Sequence, residues 1–125
     1  MNTIQWQQTS NQYMRKIEAI IRPALLDEVK VALGEIGVTG LSVTDVRGLG
    51  SSKSSYGRPY RQFTIAEMPI RCKIEIVVID EDVDEIVNTI LKHARTGEPG
   101  DGKIFVLSMD DAIRIRTEER GDMVL

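Results

Sequence analysis

The chain has few of the residues that build covalent or metal-based scaffolds. Its 125 residues contain one cysteine, Cys72, and one histidine, His93. A single cysteine forms no internal disulfide, and one residue of each type is too few for a structural zinc site. We therefore expect no metal, and we expect a cytoplasmic protein, because thiols stay reduced there. His93 lies near the end of a predicted helix, where a cation is favourable, so a surface or capping role is preferred over catalysis.

The chain also lacks long apolar runs and an excess of basic residues. No run approaches the roughly 18 apolar residues that a membrane-spanning helix needs, and the N-terminus has no signal-peptide pattern. A net charge of −3 argues against a general nucleic-acid binder. Aromatic residues make up 5%, and only Phe105 lies on a predicted central strand, so base stacking on the sheet is not expected. With 42% hydrophobic residues, the chain is expected to form one globular domain.

Hydrophobic periodicity divides this domain into six main elements. It predicts strands at 15–21, 41–46, 73–79 and 104–107, helices at 25–36 and 80–91, and a short extended segment at 112–116. The third strand is almost continuously apolar, which predicts burial on both faces. The order strand-helix-strand-strand-helix-strand is that of a ferredoxin-like α+β sandwich with an antiparallel sheet.

Residues 96–103, here called the glycine loop, precede the fourth strand and contain three glycines and Lys103. Glycine brings backbone N–H groups close to an anion, and the lysine ammonium adds a positive charge, so the composition suits phosphate binding. The loop does not match the Walker pattern, because Ile104 stands where a magnesium-binding hydroxyl is required. Taken alone, an ordinary turn between a helix and a strand explains the glycines equally well.

Five segments resemble, in order, motifs of the PII signal-transduction family: 14–23, 38–50, 73–78, 96–105 and 113–117. The resemblance implies a homotrimer with adenine nucleotides in the clefts between neighbouring subunits. It covers a domain at 14–117, followed by a C-terminal tail at 118–125, and the polar, aperiodic residues before it predict an N-terminal extension at 1–13. Within the domain, the family's long T-loop corresponds to about 50–71, and its B-loop corresponds to the glycine loop.

The resemblance also implies a set of nucleotide-binding residues. Arg114 and Arg116 alternate by two on the predicted extended segment, so both are expected to reach the phosphates from one face. Without the resemblance, pairing of these arginines with surface carboxylates is the favoured interpretation. The full implied set is Ser42, Gly48, Leu49, Gly50, Glu75, Val77, Gly100, Asp101, Gly102, Lys103, Arg114 and Arg116.

The departures from the family pattern fall in the T-loop. Ser52 replaces a glutamine that helps to chelate magnesium in nitrogen-regulating members, and Ser51 replaces a basic residue near the terminal phosphate. Arg71 replaces the lysine that pairs with 2-oxoglutarate, and Thr64 replaces the tyrosine that enteric-type members uridylylate. With Lys53, the residues Ser51, Ser52 and Arg71 are the predicted effector region.

These changes favour a regulator that prefers ADP or AMP over ATP, with bicarbonate as co-ligand. The chain is similar to the family branch associated with carboxysomes and bicarbonate transport, which implies a membrane transporter or a carbon-fixation component as partner. Three alternatives stay open. They are a nitrogen sensor that responds to ATP and 2-oxoglutarate, a slow ATPase in which Glu75 or Asp101 orients a water, and a structural trimer that binds no nucleotide.

Overall fold

The computed structural model describes residues 13–49 and 60–125. Its four strands form one antiparallel sheet in the order β2-β3-β1-β4, and two helices pack on one face of that sheet. The strands are β1 (Met14–Ile21), β2 (Ser42–Arg47), β3 (Ile70–Ile79) and β4 (Lys103–Met109), and the helices are α1 (Leu26–Glu35) and α2 (Val83–Ala94). The predicted ferredoxin-like fold is confirmed.

The core lies between the helices and one face of the sheet. Alternate residues of the two central strands, such as Ile17 and Ile74, point to this face and are fully buried, and they meet Leu33 of α1 and Ile90 of α2. The period of two along the strands and of three to four along the helices therefore accounts for which side chains are inside.

The opposite face of the sheet is open and charged. Lys16 and Glu18 of β1 lie beside Lys73 and Glu75 of β3, and ion pairs join Lys16 to Glu75 and, at 3.2 Å, Lys73 to Glu18. The prediction that the third strand is buried on both faces is wrong for the single chain, because Lys73 and Glu75 fall on this open face. Lys73 and Glu75 alternate with apolar residues at the start of this strand, but the continuous apolar run after them led to the prediction of burial on both faces.

Both helices begin after a 3₁₀ turn, at Pro23–Leu25 and Asp80–Asp82 respectively. Gly37 has φ +98° just past the end of α1, and the amide of Val38 donates to the carbonyl of Leu33 at 3.0 Å, as in a Schellman C-cap. His93 lies in the last turn of α2, as predicted, where Nδ1 is 3.1 Å from Oε2 of Glu28 on α1.

The second half of the T-loop is ordered against the sheet. Strand β3 begins at Ile70 rather than Lys73, because Ile70 pairs with Arg47 at the end of β2. Just before it, the 3₁₀ turn Ile65–Glu67 has a capping box with Thr64. The guanidinium of Arg47 donates to three carbonyls around this turn at 3.2 to 3.4 Å. Arg71 is therefore a strand residue with a fixed position.

The C-terminal segment differs from the prediction. Residues 112–116 do not form an extended segment, because residues 115–117 make a turn and Ile113 pairs back with Arg120. The chain then ends its described part with a 3₁₀ turn at Asp122–Val124. The alternation of isoleucine and arginine resembled a strand, but the chain reverses at Glu118, which has φ +63°. Within residues 13–49 and 60–125, no helix is long and apolar enough to cross a membrane.

Candidate functional site

Asp101 holds the glycine loop closed. One carboxylate oxygen accepts from the Thr96 hydroxyl at 2.5 Å and from Nε of Arg22 at 3.1 Å. The other accepts from the backbone amides of Thr96 and Gly97 at 2.9 and 2.8 Å. These donors, the Thr96 hydroxyl first, hold the pKa of Asp101 far below its ordinary value of 3.8. Asp101 is charged at neutral pH and joins the start of the loop to its end.

Two glycines allow this loop to approach its neighbours. Gly100 and Gly102 have φ of +100° and +94°, which side chains other than glycine rarely adopt. A Cβ on Gly102 would lie 1.7 Å from the carbonyl oxygen of Ile20, so the loop touches the backbone of β1 here. A Cβ on Gly100 would lie 3.1 Å from Nη2 of Arg71 and 3.2 Å from Nη2 of Arg22. Two guanidinium groups therefore flank the loop.

Arg22, Arg71 and Lys103 lie at this end of the sheet, and because Arg22 neutralises Asp101, Arg71 and Lys103 leave it with a net positive charge. Arg22 also donates to the carbonyl of Pro99 at 2.8 Å, which fixes it against the loop. Arg71 donates to the carbonyl of Ile70 at 3.1 Å. Nothing in the sequence around Arg22 marks it as a site residue, because its partner Asp101 lies 79 residues further along the chain. The one sequence feature that could have identified Arg22 as a site residue is its position directly after a predicted strand.

The remaining predicted residues lie elsewhere on the chain. Ser42, Glu75, Val77 and Arg114 line a cleft of about 1080 Å³ beside β3, where this strand extends past the start of β2, and the glycine loop does not contribute to it. The Glu75 carboxylate is paired there with Lys16, which donates a hydrogen bond to it and lowers the pKa of Glu75. In one chain, the predicted nucleotide-binding residues thus form two separate groups, one in the glycine loop and one around the cleft that Ser42 lines.

The two arginines of the C-terminal segment lie in different local structures. The guanidinium of Arg114 donates to Oε1 of Glu119 at 2.7 Å, so in the single chain this arginine pairs with a carboxylate. Arg116 lies exposed in the turn at 115–117. The extended backbone on which the predicted common direction of the two side chains depended is therefore absent.

The T-loop residues are described only in part. Gly48 and Leu49 lie at the base of the loop. The amide of Gly48 donates to the carbonyl of Pro69 at 3.1 Å. The predicted residues Gly50, Ser51, Ser52 and Lys53 lie outside the described residues. Among the residues that are described, no three His, Cys, Asp or Glu side chains are grouped so that they could hold a metal ion.

The chain is thus a ferredoxin-like domain with a glycine-rich loop before its last strand and a long loop after its second strand. The family model described as "Nitrogen regulatory protein P-II" matches residues 14–119. The chain therefore belongs to the nitrogen regulatory protein P-II family, and the resemblance found in its sequence is confirmed.

Relatives from distant organisms support this assignment. "Nitrogen regulatory protein P-II 2" of Methanothermobacter thermautotrophicus is 53% identical over 113 residues, which cover 87% of this chain and 95% of that protein. "Nitrogen regulatory protein P-II 1" of Escherichia coli is 47% identical over 114 residues, covering 90% of this chain and all of the relative. The crystal structure of Arabidopsis thaliana PII bound to citrate is similar with a TM-score of 0.73 and 42% identity, covering 90% of each chain.

Members of this family are trimeric signal-transduction proteins that bind nucleotides and act on target proteins, and they are not enzymes. The slow-ATPase alternative therefore loses its support. The alternative of a structural trimer without a ligand loses it for the same reason.

The contact between Gly102 and Ile20 predicts unequal effects of alanine at two positive-φ glycines. Gly102→Ala should lower the free energy of unfolding by about 2–5 kcal/mol, which combines left-handed strain with a forced backbone shift. Gly97→Ala is the matched control, because its φ is +89° but a Cβ there meets no atom within 4 Å. It should cost about 1–2 kcal/mol from strain alone. Equal losses in urea denaturation would show that Gly102 is not sterically required.

The Asp101 contacts predict a pH-dependent contribution to stability. Because its folded-state pKa is depressed, the stabilisation is fully present above the ordinary value of 3.8 and is lost as the pH falls below that value. Asp101→Asn should therefore be less stable than wild type at pH 7, and the two unfolding curves should converge in acid. Glu98→Gln, which removes an exposed charge from the same loop, should follow wild type at every pH. An Asp101→Asn variant as stable as wild type at pH 7 would contradict this role.

Proposed function

We propose that this protein is a homotrimeric, cytoplasmic regulator that binds adenine nucleotides in the clefts between neighbouring subunits. It reports the nucleotide state to a partner protein through the T-loop. The observation that carries the proposal is the glycine loop, which Asp101 holds closed beside Arg22, Arg71 and Lys103. Such a loop offers backbone amides and positive charge to phosphate groups without further rearrangement.

Two observations support a site that is shared between subunits. The predicted binding residues form two separate groups in one chain, so a neighbouring copy can supply the group that each site lacks. In addition, β4 is an edge strand whose Phe105, Val106 and Leu107 are 40–47% exposed, and Ile115 of the C-terminal turn is 97% exposed. Apolar residues at a sheet edge are typical of an interface, and the proposed trimer covers them.

We infer that ADP or AMP binds more favourably than ATP. The amides at 100–102 and the ammonium of Lys103 hold the phosphates of one subunit's nucleotide, while the region of Ser42, Glu75 and Val77 contacts base and ribose. Ser51 replaces the basic residue that other family members place near the terminal phosphate, so the third phosphate lacks one charge-assisted hydrogen bond.

A thermal-shift series with AMP, ADP and ATP tests nucleotide binding. A nucleotide at 100 times its Kd should stabilise the folded protein by about 2.7 kcal/mol. Lys103→Ala should weaken binding by roughly ten- to a hundredfold, because a charge-assisted hydrogen bond contributes about 1.5–3 kcal/mol. Lys92→Ala, an exposed lysine on α2, is the control and should bind like wild type. If none of the three nucleotides stabilises the protein, the proposal is wrong.

We further infer that the T-loop end of the site takes a small anion. Nη2 of both Arg22 and Arg71 lies beside Gly100, and two guanidinium groups suit a planar oxyanion. We propose bicarbonate as this co-ligand, bound together with the nucleotide. The bound state would then control docking onto a bicarbonate transporter or a carbon-fixation component such as a carboxysome protein. The protein would report energy and inorganic-carbon status.

The second candidate is a nitrogen regulator that responds to ATP and 2-oxoglutarate. The names of the relatives favour it, and the Arabidopsis relative is described with a bound carboxylate, citrate. The same two guanidinium groups suit a carboxylate as well as bicarbonate. Ser52 argues against it, because a serine hydroxyl does not reach a magnesium ion as a glutamine amide does.

Calorimetry separates the two candidates. Bicarbonate should bind to the ADP-loaded protein and tighten the affinity for ADP, whereas 2-oxoglutarate with magnesium and ATP should produce little heat. Arg71→Gln should lower the affinity for whichever anion binds by at least tenfold, since it removes a charged hydrogen bond. Arg61→Gln, an exposed T-loop arginine, serves as control. Strong magnesium-dependent binding of 2-oxoglutarate would establish the nitrogen regulator in place of the bicarbonate reading.

A further inference from the structure

The C-terminal hairpin, residues 111–121, is a closed unit rather than a loose tail. Asp111 and Arg120 close it through two contacts, at 2.8 Å from Nε and 2.6 Å from Nη2. The amide of Gly121 donates to the carbonyl of Ala112 at 3.0 Å. These contacts fix the turn at 115–117 and the carboxylate of Glu119 in position.

Glu119 is paired with Arg114, one of the two predicted phosphate ligands of this segment. Its Oε1 accepts from the guanidinium of Arg114 and from the hydroxyl of Thr117, both at 2.7 Å. The backbone of Arg114 also donates to the carbonyl of Glu119 at 2.9 Å, which keeps the two residues opposite each other. A carboxylate that accepts from a guanidinium and a hydroxyl occupies the same kind of site that a phosphate oxygen would take.

The same segment reaches the cleft that receives the base and ribose in the proposed function. Arg114 lines this cleft with Ser42 and Glu75, and Asp122 and Val124, directly after the hairpin, line it too. Because Arg114 lines the cleft and pairs with Glu119, loss of this ion pair directly changes a residue of the cleft.

We propose that Glu119 is a built-in competitor of the nucleotide's phosphates for Arg114. This inference rests on the proposed function. In the free protein, Glu119 neutralises Arg114 and occupies its guanidinium. Phosphates that reach Arg114 displace the carboxylate and loosen the turn at 115–117 beside the cleft. Nucleotides with more phosphate groups overcome the competition more readily, so Glu119 sets the affinity at which each of them binds.

The geometry of Glu118 favours such an exchange. Its φ of +63° lies in the left-handed region, which is unfavourable for a residue with a Cβ. The amide of Glu118 donates to the carbonyl of Arg114 at 2.7 Å, so the turn is held in this conformation by the contacts around Arg114. Loss of the Glu119 side-chain contacts leaves this unfavourable turn held by backbone hydrogen bonds alone, so it opens more easily.

Isothermal titration of the full chain with AMP, ADP and ATP tests the competition. Glu119→Gln should bind ATP about two- to fivefold more tightly than wild type, the range expected for loss of a partly exposed ion pair. The gain should decrease from ATP to AMP, whereas a purely structural effect would change all three affinities equally. The matched control is Glu118→Gln, which removes a neighbouring exposed charge and should leave the affinities unchanged.

The outcomes separate this inference from the function on which it rests. If wild type binds nucleotides but Glu119→Gln binds no more tightly than Glu118→Gln, the competition is wrong and the nucleotide site stands. If wild type binds none of the three, both fail. Thr117→Ala is the second variant, because it removes the hydroxyl that holds Glu119, and it should give a smaller gain in the same direction. Weaker binding of ATP to this variant would also contradict the competition.

Discussion

The closed glycine loop depends on one carboxylate. A loop with three glycines has many accessible backbone conformations when unfolded, and holding it in one of them costs conformational entropy. Asp101 offsets this cost by accepting hydrogen bonds from Thr96 and Gly97 at the start of the loop and from Arg22 at the end of β1. Because an arginine is among these donors, the carboxylate is neutralised where it lies, and the amides and Lys103 keep their positive potential.

The sheet then determines which cations surround that loop. Strand β1 ends at Ile21 and lies between β3 and β4, so the residue that follows it reaches the start of β4. On its other side, Ile21 pairs with Cys72, which places Arg71 at the same end of the sheet. The close approach of Gly102 to Ile20 leaves no room for a side chain between loop and strand. The positive end of the sheet is thus a consequence of strand order, although its members are far apart in sequence.

The elements that follow a clear hydrophobic period could be predicted, and the parts held by distant polar contacts could not. Alternating and helical spacings identified the strands and helices, because burial on one face imposes those periods. Arg22 escaped notice because its ion pair with Asp101 is a tertiary contact. In the C-terminal segment, Ile113 and Ile115 alternate with arginines as in a strand, but backbone hydrogen bonds between Arg114, Glu118 and Glu119 favour the turn. Local spacing carries no information about such a reversal.

The division of the site into two groups connects the fold to signalling. In the proposed trimer, a nucleotide between the glycine loop of one subunit and the Ser42 cleft of its neighbour would gain affinity only when the two subunits hold the correct relative position. The T-loop leaves the sheet at Gly48 and returns at Arg71, beside the glycine loop. An anion at Arg71 would therefore contact both the proposed nucleotide site and the strand to which the T-loop returns. Because coupling between two ligands requires that each favours the same conformation, this shared end of β3 is where nucleotide and effector can act on one another.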